Sequence, residues 1–344
     1  MIAGRNLNAS SVAGDIAVNT LQAGQNLWAT TQGGSVNLTN SQSQGKTTIK
    51  ATRLLGSARP ASNIAIGNLL AFSFDATTSD GGITIASQQG LRAGTVNASQ
   101  DITLLATIGD ITADSLTSYA NINVDSQLGT VGIQSLLAKG NTSIHTKKDT
   151  TLGNVIFAGN LTITADAGAV GIANATVKRD ANLTADTLRI GAITAGNLLR
   201  ADARNGSVSV NALNSLGNAT IAATQNVTLG CVTVGKATLP ANLAVTASGN
   251  LVITLSNVSG TTALTAGGTK TVQNVPTCPV IISQLDAYEP SIPTLANSIS
   301  AMDFSSIVRD LPYTIEPGGN GSEYKFTQLA EHNGKASFVK IAHK

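Results

Sequence analysis

The stretch GNLTITAD (residues 159–166) returns as ANLTAD (181–186) and again as GNLLRAD (196–202). A chain that repeats a phrase at a near-constant interval is built from one stacked unit, so this feature constrains the fold more than any other. A Gly or Ala with an Asn at most two positions later opens a line at Gly4, Gly24, Gly140, Gly159, Ala181, Gly196, Gly217 and Ala241. Setting aside one long gap after Gly24, the intervals run from 15 to 24 residues. They centre on about 20, within the range of solenoid repeats.

Each opening is followed by a short alternating run, such as LTIT, LTAD, TIAAT or LAVT. Apolar residues alternating with Thr, Ser or Asn are the pattern of a strand with one buried face. A second run usually follows, as in SVNL (35–38), SVSV (207–210) and VTLG (227–230). Two or three strands fill each repeat and leave no room for a helix. A parallel β-helix satisfies this pattern better than an antiparallel meander, because each coil sets its strands on the equivalent strands below and the same letters recur at the same corner. Corners need positive φ, which Gly adopts freely and Asn or Asp tolerates. At about 20 residues per coil, the array over residues 1–275 predicts some 13 or 14 coils and a rod of roughly 65 Å.

Composition fits a narrow interior. Aromatic residues make up 3% and charged residues 12% of the 344, against about a quarter charged in an ordinary soluble domain. The formal net charge is +2, with no strongly basic patch or tail, so neither nucleic acid nor an acidic membrane is expected as a partner. No apolar run approaches the roughly 18 residues of a membrane-spanning helix. Composition breaks near residue 275. All four Glu lie beyond residue 288, and six of the eight Pro lie between Pro276 and Pro317. The array carries 16 Lys and Arg against 12 Asp, and the remainder 5 against 7 acids, so +4 and −2 sum to +2.

Residues 276–344 therefore read as a second, small piece. One weak helix is expected over 294–310, followed by a hairpin over 323–343 turning at Asn333-Gly334, a type I′ signal. In that register Leu329 faces Phe338 and Phe326 faces Ile341. A rod of stacked strands ends in open N–H and C=O groups, and this tail is the expected cover. One stretch of the array departs from the rhythm, with RLLGSARPAS (53–62) and LLAFSFD (69–75). It reads as an extruded loop, with Arg53, Arg59, Phe72 and Phe74 as a candidate binding surface.

The phrases AGRNLNAS, AGQNLWATTQGGSVNLT, GNLTITADAGAVGI and GNLLRADARNGSVSV resemble the haemagglutinin-type repeats of filamentous haemagglutinins and related large exoproteins of two-partner secretion. The resemblance covers residues 2–270 and implies a right-handed parallel β-helix, so the expected fold is all-β, with the C-terminal hairpin segment as its cap. It further implies a secreted or surface-exposed bacterial shaft mediating attachment to a host or neighbouring-cell surface, glycan or protein, with an outer-membrane transporter as partner during secretion. The start in mid-phrase, IAGRNLNAS, reads as a C-terminal piece of such a protein. A stalk carrying a C-terminal toxin and a polysaccharide-processing β-helix enzyme are the alternatives.

Chemistry is sparse in the array. Stacked coils would align Asp166 with Asp186 and Asp80 with Asp101, the carboxylate pairs a polysaccharide enzyme needs. Asp at a corner, however, bonds its own backbone. The array has no Glu, and His145 is its only His, without the partners of a metal site. Calcium-binding nonapeptides, phosphate loops and nucleophile elbows are missing. No catalytic residue, cofactor or metal is therefore expected. Asn-x-Ser/Thr occurs 12 times, three of them as N-L-T, the repeat phrase itself. Cys231 and Cys278 suit neither zinc nor a redox pair. In an oxidising space a disulfide between them would tie the tail to the rod, contributing roughly 4 kcal/mol in the chain-entropy model.

Overall fold

A computed structural model describes residues 1–52 and 62–275, together with 313–314 and 327–328. Twenty-eight strands, from β1 (Ile2–Ala3) to β28 (Lys270–Asn274), run through the first body, and no helix occurs among the described residues. Odd-numbered strands form one 14-stranded sheet and even-numbered strands a second, each in strict order β1-β3-β5 and so on. Every pairing between them is parallel. The chain is thus a parallel β-solenoid of about 13 turns, and at one inter-strand step per turn the stack rises about 62 Å. The chain divides into two compact units between Tyr288 and Glu289, whereas the solenoid's last strand ends at Asn274.

Each turn has three faces although it has two strands. In β12 (Ile111–Ser118) the inward residues are Ile111, Ala113, Leu116 and Ser118, and two consecutive residues, Asp114 and Ser115, point outward. Strict alternation would send Leu116 to solvent. The doubled outward pair bends the strand, so both of its halves line the same core. The five-residue β13 (Ile122–Ser126) is the third side, with Ile122, Val124 and Ser126 inward. Stacked inward columns of Ile, Leu, Val and Ala make one continuous core, including Phe74 and Phe157.

The bend changes sheets once. In β3 (Ile16–Ala23), β5 (Val36–Ser43) and β7 (Ile64–Leu70) it lies in the odd sheet, where the pairing skips Asn19, Thr39 and Gly67. From β10 (Leu91–Ala98) onward it lies in the even sheet. The change is made where β10 takes in one extra residue between Ala93 and Val96 against Phe74 and Ala76 of β8 (Ser73–Thr78). The N–H of Thr95, turned out by this bulge, donates to the carboxylate of Asp75 at 2.8 Å.

The repeated Asn has one job. At the corner entering the odd sheet, each residue donates its N–H to the side-chain oxygen of the residue one turn earlier. Asn141 donates to Asn121 Oδ1 at 2.8 Å, Asn160 to Asn141 at 2.9 Å and Asp180 to Asn160 at 3.2 Å. The column begins at Asp15, where Ser35 donates at 2.7 Å, and Thr261 still donates to Asn242 at 2.9 Å. Gly82 and Leu198, which have no side-chain oxygen, interrupt it. The ladder satisfies corner donors that no strand pairing reaches. Both long insertions, 53–63 and 235–242, leave from this edge. After each the ladder resumes: Asn63 donates to Ser35 Oγ across 28 residues and Asn242 to Asn218 Oδ1 across 24. Gly235, at φ 74°, starts the second insertion.

At the opposite corner a regular N–H to C=O column runs through Thr107 to Ser87, Gln127 to Ala106, Lys147 to Ser126 and Asp166 to Thr146. One step fails. The corner between β19 (Ala181–Ala185) and β20 (Thr187–Ala195) has one residue, Asp186, where the corners on either side have three or four. Shortened in this way, Asp186 donates to Gly168 instead of Ala165. The Arg204 guanidinium, from the turn beyond, reaches back and donates Nη2 to the carbonyls of both Ala165 and Asp166, the latter at 2.8 Å. A side chain has replaced the missing backbone donor.

Beyond the solenoid, Tyr313–Thr314 pairs antiparallel with Thr327–Gln328. The rest of the expected hairpin, 323–343, and the helix expected over 294–310 lie outside the described residues.

Candidate functional site

The outer faces carry whatever chemistry the solenoid offers, and two places concentrate charge. The first is on the short strands of the odd sheet. Asp125 on β13 registers against His145 on β15 (Thr142–Thr146). His145 Nδ1 lies 2.8 Å from Asp125 Oδ1, and its Nε2 lies 3.4 Å from Asp166 Oδ1. Lys147 Nζ stands 3.5 Å from the other oxygen of Asp166. The hydrogen bond to Asp125, aided by Asp166, raises the imidazole's pKa against the opposing effect of partial burial. Burial alone would raise the pKa of Asp166, but His145 and Lys147 together lower it. His145, which the sequence left without metal-site partners, has ionic ones: the 20-residue period stacks a carboxylate beside it. The two carboxylates favour the protonated form of the ring. Among the described residues no group of three or more His, Cys, Asp or Glu is arranged to hold a metal ion.

The carboxylates that a polysaccharide enzyme would need to pair each take another partner. The side chain of Asp166 turns to His145 and Lys147, while that of Asp186 accepts from Asn205 Nδ2 at 2.7 Å. Asp80 accepts from Ser62 N–H at 3.1 Å in an earlier turn, and Asp101 from Asn121 in a later one. Corner backbone takes Asp80 and Asp101, as corner positions predict, whereas side chains take Asp166 and Asp186.

The second place is on the even sheet over the first five turns. Trp28, the only Trp, points outward from β4 (Leu27–Gln32) and is half-buried. Asn8 lies one strand below it and Thr48 one strand above. Thr48 registers in turn against Asp75, and Thr30 against Lys50, so these residues form a grid on one face. Lys46 makes an ion pair with Asp75. Burial alone would raise the pKa of Asp75; the Lys46 hydrogen bond, the Thr95 N–H and the fields of Lys46 and Lys50 together lower it. Arg92 lies 5.2 Å from the ring centre of Phe72, which is 66% exposed.

These positions divide the candidate binding loop. Phe74 is corrected: alternation within β8 turns it inward, it is 1% exposed, and it packs in the core. Phe72 sits between β7 and β8, at the corner entering the even sheet. Arg53 and Arg59 lie outside the described residues. Cys231, on the bend of β24 (Val227–Val234), is disulfide-bonded, and Cys278 lies outside the described residues. A shallow groove of about 260 Å³ lies farther along the even sheet, lined by Arg189, Gly191, Ser209 and Asn211. Several sequon Asn belong to the ladder, among them Asn141, Asn160 and Asn218; Asn226 accepts from Asn250 N–H at the corner entering the even sheet, and Asn8 and Asn37 stand exposed on strands.

No protein-family model matches the chain, and neither the curated proteins nor the solved structures compared with it give a match.

Proposed function

We propose that the chain is the shaft of a secreted or surface-exposed bacterial exoprotein and works in attachment to a host or neighbouring-cell surface. The observation that carries the reading is the unbroken pair of 14-stranded parallel ladders over one continuous core. Such a stack resists bending and displays its outer residues at fixed intervals, which suits distributed contact with a repetitive surface. The haemagglutinin-like phrasing supports the same reading and brings with it an outer-membrane transporter as the partner in secretion.

The test is attachment by the chain itself. Beads coated with the purified protein are expected to adhere to bacterial or epithelial cell layers, and soluble protein to compete. Beads that adhere no better than beads coated with an unrelated β-solenoid of similar charge would refute an adhesive role and leave the fold as it is.

A further inference from the structure

We infer that the outer face of the even sheet around Trp28 is a binding site for an acidic polysaccharide, with the indole as stacking platform and Lys46, Lys50 and Arg92 as anion contacts. The inference rests on the attachment reading, to which it adds a place and a ligand class. A sugar ring offers an apolar C–H face and a rim of hydroxyls. An outward indole on a flat sheet matches the first, and Thr48 one strand away matches the second. Trp28 is the only Trp of the chain, and it lies on an outer face.

Charge selects the kind of sugar. Lys50 and Arg92 are exposed on this face and Lys46 stands beside them, against one carboxylate, Asp75, so the local balance is three cations to one anion. Asp75 holds Lys46 in place, which lowers the entropy lost when an anion arrives. Lys46 and Lys50 lie four residues apart on β6 (Lys46–Thr52), and Arg92 lies two strands away on β10, so the cations are spread over the face at distances that a polymer with repeated acid groups can bridge. A compact ion would engage only one of them at a time.

The sole Trp makes occupancy directly readable as intrinsic fluorescence. The full chain is titrated with oligogalacturonate, chondroitin sulfate and dextran, giving carboxylate, sulfate and neutral arms. A saturable change in Trp emission is expected with at least one acidic polymer and none with dextran; the acidic arm that acts identifies the anion. Binding should weaken at least about tenfold between 0.05 and 0.5 M salt. Lys50→Glu should weaken it by about tenfold or more with the thermal transition unchanged, and Trp28→Ala, followed by calorimetry, by a similar factor. Arg189→Glu, in the distant groove, should leave it unchanged. Equal binding of dextran, unchanged binding in Lys50→Glu and Trp28→Ala, or preference for duplex DNA or anionic vesicles over both acidic polymers would overturn the inference. Coated beads that still adhere with Trp28→Ala would overturn it while leaving the attachment reading standing.

Discussion

Arg204 offers the sharpest test of how the stack is held. Replacing it with Ala removes the donors of two hydrogen bonds, those to the carbonyls of Ala165 and Asp166. Hydrogen bonds from a charged donor each contribute about 1.5–3 kcal/mol, and an abandoned buried acceptor costs about 1–3 kcal/mol. Arg204 is half-buried, so water entering the vacated notch offsets part of this loss. The net expectation is a local destabilisation of about 2–3 kcal/mol. Because each turn contacts only its neighbours, the loss should stay local. Native-state hydrogen exchange is the appropriate assay. Amides of Asp166, Ala167 and Asp186, whose N–H groups bond across these corners, should exchange roughly 30–150 times faster. Those of β11 (Ile102–Ala106), several turns away, should not change. Arg204→Lys, which supplies a point charge without a planar fork, should fall between. If Arg204→Ala exchanges at these three amides within a factor of about two of the parent, the guanidinium is not replacing a backbone donor and the account of the short turn is wrong.

Phe74→Ala should cost about 3–5 kcal/mol in urea unfolding and Phe72→Ala less than about 0.5, because one fills the core and the other faces solvent. Leu198→Asn should restore the interrupted ladder by offering an acceptor to Asn218 N–H, raising the stability of that turn by about 0.5–1 kcal/mol in hydrogen exchange. His145 has its pKa raised by folding, so its contribution to stability is complete below the unfolded value of about 6.5 and is lost as pH rises through the folded one. Asp166, lowered by folding, contributes above its ordinary value and loses that contribution as pH falls through the folded one. An NMR titration of the imidazole should show a pKa above 6.5 that falls toward it in Asp125→Asn.

The period, the strands and the lack of helices were legible because each depends on residues close together in the chain. GNLTITAD announces a corner and a strand within eight letters. The bend was harder to see: in ITADSLTS it appears only as two successive outward residues, Asp114 and Ser115, where an alternating reading expects one. Phe74 was misplaced for a related reason. LLAFSFD sits beside an insertion, and proximity in sequence outweighed the alternation of Phe74, Ala76 and Thr78, which points all three inward. The His145 cluster was within reach of counting, since Asp125 lies 20 residues before it, as a stacked neighbour should. Arg204 was not. Its partners lie 38 and 39 residues back, across a turn shortened at Asp186, and only the failed hydrogen bond of that turn explains why a cation is needed there.

The side-chain ladder at the edge entering the odd sheet has an evolutionary consequence. Because Asn63 and Asn242 find their acceptors 28 and 24 residues back, where a regular step is 20, a length error made in one coil is cancelled before the next begins. That seam is a splice port: foreign peptide inserted there leaves the downstream geometry untouched, so a lineage can gain new surface specificities by trading loops while the mast that carries them stays the same.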